Sequence, residues 1–307
     1  MRAIIFFLRA AARIFSWFLD SLVVVKIINK KTDKLYGQYR HERVGIIIQG
    51  PPVYQNDFTL NIIKRYKNQY PLSIIVVSAW DDTDASFISE AKMAGAVLLL
   101  SEKPAPGISN INLQIHTTKV ALEYLEPFAD YVLKTRSDQI CDCQNDWISY
   151  LLNLQKIFPV LGSTLKNRLI ISSLGSYKNR LYGIPDFFMF GSFSDMNLFW
   201  AIPLDKRESS ERKVELDPDL FIKEEVAEGY LVSQFCKNIG FQLRWDVTDS
   251  QKFIAHYFCV ADKEAIGHFW YKYRWEFENF AYSVGDVKLK SEIKFSSWLE
   301  SYLKYKY

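Results

Sequence analysis

The sequence predicts an α/β fold built on one mixed, mostly parallel sheet, and two observations lead to that class. Short apolar runs of strand type alternate with stretches of helix type four times within residues 44–138, which is typical of βαβ units. The chain has 307 residues, of which 49% are hydrophobic and 16% aromatic, so it can bury a sizeable core. We therefore expect a central sheet flanked by helices.

The first half of the predicted fold is the more regular one. A buried strand, VGIIIQG, ends in the turn GPP, and Asp57 can cap the helix FTLNIIKRYKNQ. Pro71 stops this helix before a second strand, LSIIVVSAW. The cluster DDTD caps the helix ASFISEAKMAG, which ends at Gly95 before the strand AVLLLS. The loop EKPAPGISN, the helix INLQIHTTKVALEYLE and the strand YVLK complete this half.

The second half is predicted to continue the alternation less regularly. A helix, NDWISYLLNLQKIF, precedes the strand RLIISSL. The run DFFMFGSFSDMNLFW indicates a strand, a turn at Gly191 and a helix opened by Asp195, and one further helix is predicted from Glu224 to Lys237. From these patterns we predict three parts: a basic N-terminal segment, residues 1–42; a main α/β domain, residues 43–260; and an aromatic and basic C-terminal extension, residues 261–307.

The charge is distributed unevenly along the chain. The net charge of +3 is too small to indicate nucleic-acid binding, but residues 1–43 alone carry a net charge of +6. The opening segment is apolar yet interrupted by Arg9, Arg13 and Asp20, so it does not suit a membrane-spanning helix. Its charges recur near helical spacing, which predicts either a helix in the interface of an anionic membrane or a helix packed on the protein's own body.

Cysteine usage favours a reducing compartment. Cys141 and Cys143 are too close together for an easy disulfide, and their spacing is unusual for zinc. We therefore expect reduced thiols and a cytoplasmic protein. The basic N-terminal segment adds the expectation of peripheral contact with the cytoplasmic face of the inner membrane.

The strand YVLK ends in a polar cluster that indicates a binding site. Arg136 and Asp138 follow it, where ligands bind in open α/β sheets. Arg136 can pair with phosphate, and Asp138 can hold a divalent cation or form only a local ion pair with Arg136. Asp81 and Asp82, after the second strand, can accept hydrogen bonds from a base or ribose or serve only in capping. Neither a GxGxxG fingerprint nor a Walker A sequence is present.

The order of these motifs resembles the nucleotide-sugar half of GT-A glycosyltransferases, a Rossmann-like fold. More narrowly, IIQGP, VVSAW, P.PGISNINLQI, YVLKTRSD, DFFMFG and AEGYL resemble the WavE family of bacterial lipopolysaccharide-synthesis proteins. The resemblance covers residues 44–242 and implies a glycosyltransferase.

The resemblance assigns roles to residues of the first half. It implies that Gln49, Gly50 and Pro51 face the nucleotide and that Asp81 or Asp82 lies near the base or ribose. Asn110, Asn112 and Gln114 would begin the helix under the diphosphate, although capping and surface roles also suit these amides. Asp138 falls where GT-A enzymes keep the last acidic residue of their metal motif. Arg136 stands where that motif has its first aspartate, so the reaction would use Mn²⁺ or Mg²⁺, or no metal at all.

The second half is expected to supply the catalytic base and the acceptor site. An inverting transfer needs a carboxylate to deprotonate the acceptor hydroxyl, and Asp186 and Glu228 are the candidates. Lys178 and Arg180 can bind an acidic acceptor or donor group. A turn aspartate and a solvated helix glutamate are the simpler interpretations of the two carboxylates.

These observations favour one function over two others. The predicted function is transfer of a sugar from a nucleotide-sugar donor to a lipid-linked or oligosaccharide acceptor of a growing surface polysaccharide. The missing first aspartate favours instead a catalytically silent domain that binds a glycan or a partner of the assembly machinery. A nucleotide hydrolase or nucleotidyltransferase on a similar sheet is the third interpretation.

Overall fold

The computed structural model describes residues 42–143, 145–160, 162, 164–178, 180–208, 218–273 and 292–305. Nearly all of the predicted N-terminal segment, and with it the predicted membrane-surface helix, lies outside these residues. Within them, no helix combines the length and the hydrophobicity needed to cross a membrane. All four cysteines are described, and they form no disulfide.

The first half alternates strands and helices as predicted, because apolar runs of strand length are separated by capped or proline-terminated helices. The elements in chain order are β1 (Val44–Gln49), α1 (Phe58–Gln69), β2 (Ile74–Trp80), α2 (Ala85–Met93), β3 (Ala96–Ser101), α3 (Ile111–Leu125) and β4 (Tyr131–Arg136).

The second half adds shorter strands and more helices. These are β5 (Gln139–Cys141), α4 (Trp147–Ile157), β6 (Leu169–Ser172), β7 (Met189–Ser192), α5 (Phe193–Trp200), α6 (Pro218–Glu225), α7 (Ala227–Ile239), α8 (Val247–Tyr257), β8 (Phe258–Ala261), β9 (His268–Trp270) and α9 (Phe295–Tyr305).

Seven strands form the central sheet in the order β3-β2-β1-β4-β7-β6-β8. Strand β7 runs antiparallel to both of its neighbours, and the remaining pairs are parallel. Strand β1 lies near the centre, with Ile46, Ile47 and Ile48 fully buried, because helices cover both faces of a parallel sheet. The predicted mixed, mostly parallel sheet flanked by helices is confirmed.

The predicted turn at Gly191 is wrong. Gly191 lies inside β7, opposite Val132 of β4, and a Cβ atom there would come within 2.6 Å of the Leu169 side chain. Glycine is needed here for close packing and not for a turn. The helix that follows begins one residue after Ser192, whose hydroxyl accepts from the Asp195 backbone N–H, so Ser192 and not Asp195 is its cap.

Two predicted features of helices also differ in the structure. The predicted helix from Glu224 to Lys237 is two helices, because Val226 is extended, with φ −112° and ψ 133°. Asp57 precedes α1 but caps nothing, since its backbone is left-handed and its carboxylate accepts no capping hydrogen bond. Asp84, in contrast, caps α2 as predicted by accepting from the backbone N–H groups of Ser86 and Phe87.

The described part of the predicted C-terminal extension packs on the main domain. Strand β9 pairs antiparallel with β5 in a separate two-stranded sheet. Helix α9 contacts β8, where the Trp298 indole donates to the Phe258 carbonyl at 2.8 Å. The proposed boundary at residue 261 stays a prediction, and the pairing of β9 brings residues of this segment toward the carboxyl edge of the sheet.

Candidate active site

A cleft of about 440 Å³ lies at the carboxyl ends of β1, β2 and β4, where ligands bind in open α/β sheets. Several predicted nucleotide-binding residues meet there, although they are far apart in sequence: Gln49, Gly50, Pro51, Asn110, Gln114, Arg136 and Asp138. Further lining residues were not predicted: Pro52, Val53, Trp80, Ser109, Leu113, Ser137 and Lys272.

Hydrogen bonds join the ends of β1 and β4 beneath the cleft. The Ser137 backbone N–H donates to the Gln49 carbonyl at 2.9 Å, and the Ser137 hydroxyl donates to the Pro51 carbonyl at 2.6 Å. Gly50 turns the chain with φ +105°, a conformation that favours glycine. These contacts hold the floor of the cleft in one shape.

Gln49 lines this cleft and carries a buried polar atom that has no partner in the described part of the chain. Its side chain is 5% exposed, and its Oε1 accepts no hydrogen bond from the described part of the chain. A buried acceptor without a donor costs free energy. An N–H or O–H donor that reached this atom would satisfy it.

Arg136 and Asp138 form a bidentate ion pair at the end of β4. Arg136 Nε donates to Asp138 Oδ1 at 2.9 Å, and Arg136 Nη2 donates to Asp138 Oδ2 at 3.2 Å. The Trp270 indole from β9 also donates to Asp138 Oδ2, at 2.9 Å. The centre of the guanidinium lies 5.4 Å from the centre of the Trp270 ring, close enough for a cation–π contact.

The donor set at Asp138 does not fit a metal ligand. Its two oxygens accept three N–H bonds, two of them at Oδ2, so only one of the roughly four lone-pair directions of the carboxylate stays open, whereas Mg²⁺ and Mn²⁺ take several oxygen ligands. Within the described ranges, no three His, Cys, Asp or Glu side chains cluster closely enough to hold a metal ion. The ion pair that was the simpler alternative for Arg136 and Asp138 is present, and it leaves Arg136 facing the cleft.

A fully buried lysine connects the cleft to the predicted catalytic aspartate. Lys134 Nζ donates to Gln114 Oε1 at 3.0 Å and to the backbone carbonyl of Asp186, and it lies 4.4 Å from the centre of the Trp200 ring. Gln114 in turn donates to the Asp186 carboxylate. Burial lowers the pKa of Lys134 to about 7. Lys134 was not predicted as a site residue from the sequence, although a lysine within the apolar strand YVLK could have indicated one.

The two predicted catalytic carboxylates lie in one electrostatic cluster. Glu228 Oε2 accepts from Arg180 Nη2 at 2.7 Å. Burial raises the pKa of Glu228, and the negative charge of Asp186 raises it further. Neither carboxylate lines the cleft, but Gln114 touches both the cleft and Asp186. The cluster therefore lies next to the cleft and is connected to it through Gln114.

Other predicted site residues lie apart from the cleft. Asp81 and Asp82 are exposed, and Asp82 pairs with Lys103. Asn112 is buried away from the lining, where its amide donates to the carbonyls of Ala105 at 3.0 Å and Asp205 at 2.8 Å. Its amide holds two loops together, and Asn112 does not line the cleft, so its predicted role in nucleotide binding stays a prediction.

The predicted acceptor-binding residues line a second pocket. Lys178 and Arg180 lie on its wall beside residues of α8 and α9. This pocket has a volume of about 200 Å³. Arg180 joins it to the carboxylate cluster, because its guanidinium also pairs with Glu228.

Several solved structures show a distant likeness to this chain. A mannosyltransferase from Pyrobaculum calidifontis, in complex with GDP-Man and Mn²⁺, is 13% identical, with 80% of this chain and 84% of that chain covered and a TM-score of 0.33. Mannosyl-3-phosphoglycerate synthase from Rubrobacter xylanophilus is 16% identical, with coverages of 64% and 70% and a TM-score of 0.34. A 4-diphosphocytidyl-2C-methyl-D-erythritol synthase from Anaerococcus prevotii is 12% identical, with coverages of 78% and 99% and a TM-score of 0.37. At TM-scores this low the likeness carries no argument about function.

A family match is the stronger finding. No curated protein matches this chain. The sequence model of the family described as WavE lipopolysaccharide synthesis matches residues 44–304, which include every element from β1 to β9. This match confirms the resemblance predicted from the six short motifs. The chain belongs to the WavE lipopolysaccharide synthesis family.

Proposed function

We propose that this protein transfers a sugar from a nucleotide-activated donor to a growing bacterial surface polysaccharide, such as lipopolysaccharide core, O-antigen or capsule. The observation that carries the proposal is the cleft at the carboxyl edge of the sheet. Arg136 and Gln114 both line this cleft, and Gln114 also donates a hydrogen bond to the Asp186 carboxylate. Membership of the WavE family supports the polysaccharide as the destination of the sugar.

In this proposal the nucleotide occupies the cleft. Gln49 Oε1 accepts from the nucleoside, and Arg136 contacts the diphosphate by charge-assisted hydrogen bonds. The acceptor enters from the pocket of Lys178 and Arg180. Asp186 takes the proton from the acceptor hydroxyl while the bond from this oxygen to the anomeric carbon forms and the bond to the nucleoside diphosphate breaks. Because the donor set at Asp138 does not fit a metal ion, no step is assigned to one.

A thermal-shift panel tests the donor. We expect at least one nucleoside diphosphate or nucleotide sugar to raise the melting temperature, because a ligand that binds only the native state stabilises it by about 2.7 kcal/mol at a hundred times its Kd. For a domain of this size that is a shift of roughly 5–10 °C. Assays of sugar transfer should follow with each nucleotide sugar that shifts the melting temperature. If glycans raise the melting temperature and no nucleotide does, the protein is better explained as a catalytically silent glycan-binding domain.

We also propose that residues 1–34 hold the protein at the cytoplasmic face of the inner membrane. The apolar side chains Phe6, Phe7, Phe15, Trp17 and Phe18 would enter the acyl boundary. The basic side chains Arg2, Arg9, Arg13, Lys26, Lys30 and Lys31 would meet anionic head groups, each contributing about 1 kcal/mol near the surface.

Vesicle co-sedimentation tests this anchor. We expect the full chain to sediment with anionic vesicles and to be released only partly by 1 M salt, because salt screens the charges and leaves the apolar contacts. A variant lacking residues 1–34 should stay in the supernatant yet transfer sugar to a short soluble acceptor. If that variant aggregates and the full chain does not sediment with the vesicles, the segment is a structural helix packed on the rest of the protein.

A further inference from the structure

Lys272 reaches the cleft from the far end of the chain because β9 pairs with β5. Residues Gln139 and Trp270 are opposite each other in this pairing, and the Tyr271 backbone N–H donates to the Asp138 carbonyl at 2.9 Å. The chain therefore runs past the end of β4 as it leaves β9. The next residue, Lys272, is exposed and lines the cleft beside Arg136.

The Lys272 ammonium is available to a bound anion. Its nitrogen lies 5.2 Å from the centre of the Tyr273 ring. No carboxylate of the described residues lies within ion-pair distance of it. With respect to the described residues, the ammonium can therefore move toward a phosphate on the cleft wall without first breaking a salt bridge.

Arg136, in contrast, is held in one position. Asp138 binds one edge of its guanidinium through Nε and Nη2, and Trp270 lies against the group. Its Nη1 makes no hydrogen bond with any residue in the described part of the chain. A planar guanidinium fixed in this way presents its remaining donors to a phosphate with little loss of side-chain entropy.

The charge of the cleft favours an anion. Arg136, Asp138 and Lys272 are its charged lining residues within the described ranges. The Asp138 carboxylate is satisfied by Arg136 and by the Trp270 indole. Among the described residues one uncompensated positive charge therefore remains, and it comes from Lys272.

We propose that Lys272 and Arg136 together bind the diphosphate of the nucleotide donor, taking the charge-neutralising place of a divalent cation, with Asp138 and Trp270 as positioning residues. This inference rests on the proposed function for the identity of the ligand. The same two cations would also bind inorganic pyrophosphate. The unpartnered Gln49 Oε1 distinguishes the two ligands, because a nucleoside has N–H and O–H donors on its base and ribose, beyond the phosphates, and pyrophosphate has no such groups.

Isothermal titration in EDTA tests the site, with UDP, GDP and inorganic pyrophosphate as probes. We expect Lys272→Ala and Arg136→Ala each to weaken diphosphate binding about tenfold or more. Lys272→Arg should keep most of the affinity. Lys237→Ala, which removes an exposed lysine outside the cleft lining, should match the wild type. Gln49→Ala should lower the affinity for whichever of UDP and GDP binds the wild type and leave the affinity for pyrophosphate unchanged.

If Arg136→Ala does not fold, Arg136→Lys replaces it in the test. Lysine keeps the positive charge but loses the bidentate contact to Asp138. This variant should bind more weakly than the wild type. The proposal of a two-cation site is wrong if Lys272→Ala binds the diphosphate probes as tightly as the wild type does. It is also wrong if EDTA abolishes their binding and Mn²⁺ restores it. In either case the proposed function still stands. If pyrophosphate binds with the expected dependence on both cations but no nucleotide binds, the proposed function fails alone. If none of the three probes binds, both fail.

Discussion

Asp186→Asn should lower the rate of sugar transfer by about 10²–10⁴-fold, the usual contribution of a general base. Asparagine keeps the size of the side chain and an oxygen that can accept from Gln114, but it cannot take a proton from the acceptor hydroxyl. Because Asp186 lies outside the cleft lining, the affinity for the donor should change little. Turnover and donor affinity, measured on the same purified variant, separate the two effects.

Two further variants make the Asp186 experiment specific. Glu228 is already paired with Arg180 at 2.7 Å, so Glu228→Gln should cost less activity than Asp186→Asn. Asp57→Asn, at an exposed residue whose carboxylate caps no helix, should behave as the wild type. If Asp186→Asn retains full activity and Glu228→Gln does not, the carboxylate of Glu228 is the base.

Lys134→Met should change how stability depends on pH. Burial lowers the folded-state pKa of Lys134 to about 7, while an unfolded lysine titrates near its ordinary value of about 10.4. Between these values the unfolded chain holds a proton that the folded chain has released, so raising the pH favours folding. Below pH 7 both states are protonated, and the full cost of burying the charge is present.

The expected size of this effect is large. The free energy of unfolding of the wild type, relative to Lys134→Met, should rise by up to about 1.4 kcal/mol per pH unit across that window. Urea denaturation at pH 7.5, 8.5 and 9.5 measures it, and tyrosines and cysteines common to both proteins cancel in the difference. For Lys237→Met, which changes an exposed lysine, the free energy of unfolding should depend on pH as it does for the wild type. Parallel curves for Lys134→Met would show that Lys134 keeps its proton.

The alternation of strands and helices could be predicted because it depends on local patterns. An apolar run that ends in a proline or in a capping aspartate, such as the one before Asp84, fixes an element within a few residues. The location of Arg136 and Asp138 followed from the same logic, since carboxyl ends of parallel strands meet at one edge of a sheet. The cleft contains most of the residues predicted from the first half for this reason.

The remaining differences come from tertiary contacts that no local pattern contains. The break at Val226 coincides with hydrogen bonds from Arg207 to the carbonyls of Lys223 and Val226. Gly229 then lets α6 pack against α7, because a Cβ atom there would lie 2.1 Å from the Ile222 carbonyl oxygen. A helical pattern continues through this stretch in sequence, and only the packing interrupts it.

The contribution of β9 to the cleft was equally hidden. The C-terminal aromatic run gives no signal that one of its indoles donates to Asp138 or that Lys272 lines the cleft. Both facts depend on the pairing of β9 with the three-residue strand β5. Strands this short have too few residues to show a period.

The hydrogen bond from Trp270 to Asp138 joins residues 132 positions apart, and this separation affects biosynthesis. At about 5–20 residues per second, a ribosome needs roughly 7–26 s to add the chain between them. During that interval β1 to β4 have been made, but the indole that steadies Arg136 and the ammonium of Lys272 have not. A nascent chain would therefore lack part of the proposed diphosphate site until late in translation. Fragments that end before residue 270, whether from early termination or proteolysis, would keep much of the sheet, with Arg136 and Asp138, and lose Trp270 and Lys272.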